Sequence, residues 1–345
     1  MKKTLLIVGD EVDYESFKKV RRNTNKDKIF NYLSIDYKTL FSKKLPEIES
    51  EEIIIYLFFP FDYWDKYIEP KNYKGVYGSG KFFNRFKSAC KKIEKILNNK
   101  YKDKIIHYII PANMMYQDRD KELTKDLLKK SKVTVPKTIQ SRDIKKIKRI
   151  IKKTNLFIKV RYGAMGKGIT YLKKDEWKTN FRFKNNKIIS KKSDYGWTFI
   201  DITNNDEFLK QLLKQDITIE EEIQPYIVDK KKFDLRIYVS FNQVRYIYPR
   251  TNKSMSVTTN ISQGGKGESQ SFLNKIPKEL LDQAKKEAIN ATKAMQTNFA
   301  GVDVMFDGKK NKPFVIEIQA FPGFPASKKY NISKRILNDI KENLN

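Results

Sequence analysis

The sequence predicts a mixed α/β protein: a leading, mainly parallel α/β unit followed by antiparallel hairpins. Three observations carry that expectation. Short apolar runs at Lys2–Gly9, Glu52–Phe59 and Ile105–Ile110 alternate with helical patterns, as strand–helix–strand units do. Later, the runs Gly301–Phe306 and Phe314–Gln319 flank the turn-rich segment Asp307–Pro313, in which a D-G dipeptide opens the turn and a proline closes it. With 345 residues, 39% of them apolar, and with 22 Phe and 19 Tyr, the chain can bury a sizeable core spread over two or three domains.

Composition removes several chemistries. One cysteine, Cys90, allows no internal disulfide, and with one histidine, His107, it leaves no Cys/His zinc site. His107 lies inside an apolar run and reads as a core or strand-edge residue, while Cys90 sits in a Lys-rich helical pattern with no partner for chemistry. No apolar run reaches transmembrane length. Asp10 and Glu11 interrupt the first run too soon for a signal peptide, so the expectation is a first strand in a cytoplasmic protein. Against 41 acidic residues stand 71 Lys and Arg, a formal net charge of +30. Such a field attracts anions, whether acidic peptides, nucleotide phosphates or nucleic acid. The charge is spread over helical segments such as Lys91–Lys104 and Asp143–Lys153, which also fits solvated surface and AT-rich coding.

Taken in order, Gly75–Lys81 (GVYGSGK) formally satisfies a phosphate-loop pattern, but Phe82 follows where Ser or Thr would hold a metal, and no clear strand leads into it. It reads as a decoy or as a loop facing the acceptor. Residues Ala112 to Lys132 predict one helix, Asp143–Lys153 another, and Leu156–Val160 a strand. In Phe157–Leu172, Lys159 ends that strand, and Gly163, Gly166 and Gly168 form a loop before a second strand, Ile169–Leu172. A glycine-rich loop between antiparallel strands can lay backbone N–H groups over phosphates, with a lysine reaching in as a point charge; a plain hairpin turn is the other reading. Lys173–Thr203, with Trp177 and Trp197, reads as a basic insertion or lid. Thr218–Ile223 is a strand ending in glutamates, Lys232–Val239 sets Asp234 and Arg236 on one face, Val244–Tyr248 is the next strand with Arg250 after it, and Pro277–Gln296 is a helix. In the final hairpin Glu317 and Gln319 share a strand face, and Asp303 on the partner strand can join them. Such oxygen ligands suit Mg²⁺ or Mn²⁺.

In this order the segments resemble the ATP-grasp superfamily. The resemblance runs from about Asp118 to Ala326 through RDK at Arg119–Lys121, IKVRYGAMGKG at Ile158–Gly168, DLR, TTNISQGG, AGVDVMFD and VIEIQAFPGF. It is closest to the RimK-type and glutathione synthetase-like carboxylate–amine ligases, and KKFDLRIYV through TTNIS is also similar to tubulin tyrosine ligase-like enzymes. The resemblance implies an ATP-grasp fold with an N-terminal Rossmann-like pre-ATP-grasp domain at 1–110. Residues 111–215 would be a linker helix and the small subdomain, and 216–345 the subdomain with the metal site. It further implies Lys121, Lys159, Gly163, Gly166, Gly168, Glu221, Glu222, Ile223 and Asn260 at ATP, and two Mg²⁺ or Mn²⁺ ions on Asp303, Glu317 and Gln319. Arg236 and Arg250 would face the transferred phosphoryl group. Two positions depart from the pattern: Gln319 replaces the usual Asn, and Gln263 the basic residue before the glycine pair.

The activity so implied is amide formation through an acyl phosphate, which requires no protein nucleophile. The amine would be an amino acid, and the carboxylate acceptor an acidic peptide or polyglutamyl molecule. Neither membrane nor nucleic acid is the expected partner, and self-association stays open. The competing readings are a small-amino-acid ligase of the D-alanine–D-alanine or glutathione type, and a basic module binding RNA or acidic proteins with a degenerate ATP site.

Overall fold

The computed structural model describes residues 2–10, 15–24, 28–70, 75–189, 197–326 and 328–344. Its leading sheet is parallel, in the order β2-β1-β3-β4, from β1 (Thr4–Val8), β2 (Asn31–Ile35), β3 (Glu52–Leu57) and β4 (Ile105–Tyr108). The central strands β1 and β3 are almost wholly buried, which is why they read as unbroken apolar runs. Edge strand β2, Asn-Tyr-Leu-Ser-Ile, is half exposed and has no such run, so the sequence reading passed over it. The helix Gly80–Lys100 packs Phe82, Phe86, Cys90, Ile93 and Leu97 into this core at helical spacing. His107 on β4 bonds Glu52 at 3.0 Å, at the sheet's edge.

The single helix expected from Ala112 to Lys132 is two, Met114–Gln117 and Lys121–Lys130. The break has a local cause. Asp120 turns back as an N-cap and accepts from the backbone of Glu122 and Leu123, while Asp118 spends its carboxylate on the Ala320 N–H at 2.9 Å.

A second, antiparallel sheet runs in the order β10-β7-β6-β5-β11. Its strands are β5 (Leu156–Val160), β6 (Ile169–Lys173), β7 (Glu176–Thr179), β10 (Ile200–Asp201) and β11 (Ile217–Glu221); a side hairpin joins β8 (Arg182–Lys184) to β9 (Lys187–Ile189). The basic segment expected to be an insertion or lid supplies four of these strands. Trp177 and Trp197 are buried in their core, so its described part is structural; residues 190–196 lie outside the described residues.

The third sheet, also antiparallel, runs β15-β14-β13-β16-β17, with the short β12 (Ile227–Val228) on β13. Here β13 is Lys231–Ser240, β14 Gln243–Lys253, β15 Lys266–Gly267, β16 Phe299–Asp307 and β17 Lys312–Gln319. Arg250 therefore lies within β14, not after it: pairing along the full length of β13 carries the strand through Pro249. The final hairpin forms as expected, and Asp307 closes its turn by accepting from the backbone of Lys309 and Lys310. Helix Lys278–Ala294 covers this sheet through Ala284, Ala288 and Ala291, whose small side chains permit close approach. One apolar core runs through the first and third sheets, and a separate one fills the second. Among the described residues no helix is long and apolar enough to cross a membrane.

Candidate functional site

A cleft opens between the second and third sheets. Lys159, Gly163, Gly166 and Lys167 line it from one side, and Asp234, Arg250, Asp303 and Glu317 from the other. The connecting residues Glu221, Glu222 and Ile223 close one end, with Asn260 on a facing loop. Lys121 reaches in from the start of its helix.

The hairpin places the expected metal residues together. Asp303 pairs with Glu317 across the strands and Gly301 with Gln319, so alternation puts all three polar side chains on one face. Gln319 Nε2 donates to Glu317 Oε2 at 3.0 Å and to Asp303 Oδ2 at 3.5 Å. Arg236 forks onto Asp303 at 2.8 and 2.9 Å. Arg250 donates to the same carboxylate at 2.9 Å and forks onto Asp234 at 2.7 Å, while Thr259 donates to Asp234 at 2.6 Å. Burial pushes the Asp303 carboxyl upward, but the two guanidinium groups outweigh it and hold the pKa at about 2. Burial likewise opposes ionisation of Glu317, and Lys121, 3.1 Å away, brings it below the ordinary glutamate range. Lys121 also donates to the Gly163 carbonyl at 2.6 Å, tying the glycine-rich loop to the hairpin.

Among the described residues no cluster of three His, Cys, Asp or Glu side chains forms a metal site. The donors on offer are two carboxylates and one amide oxygen. That set fits a hard cation that takes its remaining ligands from water and phosphate oxygens.

The glycine-rich loop joins β5 to β6, as its sequence suggests. A Cβ on Gly163 would stand 2.1 Å from Val160 Cγ2, and Gly166 and Gly168 hold φ of +67°, so each glycine answers a steric need. A Cβ on Gly166 would stand 3.2 Å from Asn260 Cγ. Behind the loop, Lys159 bonds one oxygen of Glu220 at 2.8 Å and Lys125 pairs with the other. Burial raises the Glu220 carboxyl, yet the two ammonium groups win and bring it to about 2; burial lowers Lys125 to about 8 against the pull of Glu220. Sequence reasoning missed Lys125 and Glu220, although Lys125 lies one helical turn after Lys121 and so on its face. It also missed Lys232, which lines the cleft, donates to the Val257 carbonyl at 3.0 Å and is lowered to about 8 by burial.

The other expected residues have defined places. Glu221 pairs with Lys137 at 2.7 Å, and Glu222 accepts from Asn155 at 2.6 Å and Tyr171 at 3.2 Å. Gly168, Arg236 and Gln319 do not line the cleft but stand directly behind groups that do. The GVYGSGK segment does not line the cleft. Its Gly80 opens a helix whose backbone N–H is taken by Asp216 at 2.7 Å, which leaves a protein carboxylate where a phosphate would sit.

Known proteins resemble this chain in sequence and in fold. Residues 116–344 match the family described as YheC/D like ATP-grasp. A probable alpha-L-glutamate ligase of Vibrio vulnificus (strain YJ016) is 33% identical over 101 residues, which is 29% of this chain and 30% of that protein. Among solved structures, ATP-grasp ligase PsnB, complexed with a phosphomimetic variant of minimal precursor, Mg and ADP, aligns over 99% of each chain with a TM-score of 0.57 and 12% identity. D-alanine–D-alanine ligase from Bacillus anthracis aligns over 99% of this chain and 97% of its own, with a TM-score of 0.53 and 14% identity. These two likenesses concern the fold, and they meet the fold expected from the sequence. With about two thirds of its length matched, the chain belongs to the YheC/D like ATP-grasp family.

Proposed function

We propose that this chain is an ATP-dependent ligase that joins a carboxylate to an amine through an acyl phosphate, adding an amino acid to an acidic peptide or polyglutamyl acceptor in the cytoplasm. The observation that carries the reading is the cross-strand pair Asp303–Glu317 facing Lys121, Lys159 and the glycine-rich loop across one cleft. Lys121, Lys159 and Lys167 gather the phosphates beneath the loop, and Gly163, Gly166 and Gly168 let its backbone approach them. Glu221, Glu222 and Ile223 flank the base, with Asn260 opposite. Asp303, Glu317 and Gln319 would hold the cations, a pair of Mg²⁺ or Mn²⁺ ions, which supply neutralisation of phosphate charge when bound.

The chain's own work is positioning. Arg250 lines the cleft, forked onto Asp234 and donating to Asp303, and Arg236, forked onto Asp303, stands behind it. Together they are placed to hold the acyl phosphate while the amine attacks its carbonyl carbon and phosphate leaves. Support for the substrates comes from the relatives: the Vibrio protein is named a probable alpha-L-glutamate ligase, and PsnB is complexed with a precursor, Mg and ADP.

The test is ADP release by the purified chain with ATP and Mg²⁺, supplied with pooled amino acids, with and without short glutamate peptides. Release that requires both supports the proposal. Release with free amino acids alone would assign a small-molecule ligase, and none under any condition would leave a binding module.

A further inference from the structure

The GVYGSGK segment is absorbed neither by the cleft nor by the helix it opens, yet its tyrosine packs, half-buried, against the glycine-rich loop. Tyr77 Oη donates to the Ala164 carbonyl at 3.2 Å and accepts from the Ala164 N–H at 2.9 Å. A side-chain hydroxyl thus engages both backbone groups of one residue, as a neighbouring strand would, and the carbonyl also accepts from the Lys167 N–H at 3.2 Å. The same ring lies under Lys167 Nζ at 5.5 Å, and Trp197, 5.3 Å from Tyr77 edge to face, lies under it at 5.8 Å. Tyr77 therefore touches the loop at two points that flank Gly166.

The fit around it is close. A Cβ on Gly163 would come within 2.9 Å of Tyr77 Cε1, and one on Gly78 within 2.8 Å of Val160 Cβ and 3.3 Å of the Gly163 nitrogen. Gly78 holds φ of +72°. The two glycines, one from each segment, close around Val160. Two more contacts fix the same junction: the Gly80 N–H on Asp216, and the stacking of Phe83 on Tyr162 at 4.3 Å. Burial pushes the Tyr77 hydroxyl up to about 12, so it remains a neutral donor and acceptor at working pH.

We propose that Tyr77 is a positioning residue for the glycine-rich loop, holding Ala164 and Lys167 in the phosphate-binding shape so that the leading parallel unit sets nucleotide affinity. This rests on the nucleotide reading above. The glycines of GVYGSGK then have a purpose other than the one their spacing suggests: they let one loop lie against another.

The test is Tyr77→Phe, which keeps the ring beneath Lys167 and removes both hydrogen bonds. Amide exchange without nucleotide should show the Ala164 N–H exchanging about tenfold faster, the size expected for one lost neutral hydrogen bond. By calorimetry with Mg²⁺, affinity for ATP should fall about five- to tenfold while affinity for adenosine stays within twofold. Thermal stability should change little, and Tyr77→Leu should weaken ATP further because the shelf under Lys167 is lost. Unchanged Ala164 exchange overturns the clasp, whatever the nucleotide data show. Faster exchange with equal weakening of ATP and adenosine overturns the positioning role. Failure of the unaltered protein to bind ATP overturns the nucleotide reading, and with it the role assigned to the clasp, while the exchange result still decides whether the contact orders the loop.

Discussion

Asp303 is the residue where function and stability are hardest to separate. It is 2% exposed and is the shared counter-charge of Arg236 and Arg250. Asp303→Asn should abolish ADP formation and also destabilise the fold, by about 3 kcal/mol, because two buried guanidinium groups lose a charge. Glu317→Gln is the cleaner probe. It keeps the shape and an oxygen for Gln319, so activity should fall at least ~100-fold with the melting temperature nearly unchanged. Near-normal turnover in both variants would remove the metal assignment. Gln319→Asn should be tolerated better than Gln319→Ala, since an amide oxygen survives. A pH effect follows from the same burial. Asp303 and Glu220 are depressed from 3.8 and 4.5 to about 2. Their contribution is complete above pH 4.5 and is lost as pH falls through about 2, because the unfolded chain takes up protons first. Urea midpoints measured from pH 5 to 2 should fall steeply, and less so in Glu220→Gln; equal slopes in both would contradict the pairing. The sequence made Asp303, Glu317 and Gln319 legible because strand alternation is local. It did not reveal that Arg236 and Arg250 converge on Asp303, since that depends on the lateral register of three strands.

At the scale of elements, the loop between β5 and β6 is the most informative. Gly163→Ala would drive a methyl group into Val160, whereas Gly323→Ala meets nothing within 4 Å. The first should weaken ATP binding by about tenfold or more and the second should not, a contrast that calorimetry can read. Lys159→Ala should weaken ATP far more than adenosine, since only phosphate contacts are lost; equal loss would make Lys159 a partner of Glu220 and nothing else. Elements set by local pattern were readable beforehand, among them β1, β3, the glycine-loop hairpin and the final hairpin. Those decided by side-chain competition were not. Asp118 and Asp120 split one helix into two, and the basic run 173–203 yielded its strands only because Trp177 is buried on β7.

For the whole molecule the open quantity is the formal charge of +30. If it steers an acidic acceptor, the Michaelis constant for a glutamate peptide should rise steeply from low to moderate salt, while that for ATP under saturating Mg²⁺ moves less. A flat response would assign the lysines to coding bias and leave the ligase chemistry untouched. Composition alone could not separate these, because surface charge carries no address until the chain is folded.

The separate core of the second sheet has a consequence for how the chain could be recombined. Its two ends meet: Thr138 bridges Glu220, and the Ile139 N–H bonds the Ile219 carbonyl at 2.9 Å. The Glu221 N–H likewise bonds the Lys137 carbonyl at 2.9 Å, so residues 137–221 are topologically an insert, a cassette whose entry and exit share one seam. A chimera cut there should keep the first and third sheets joined through their common core, and a relative's cassette grafted across the seam would need to match Tyr77 and Gly80 beneath it. A cut after residue 110 would split the common core instead, so modular exchange in this chain favours the middle over the ends.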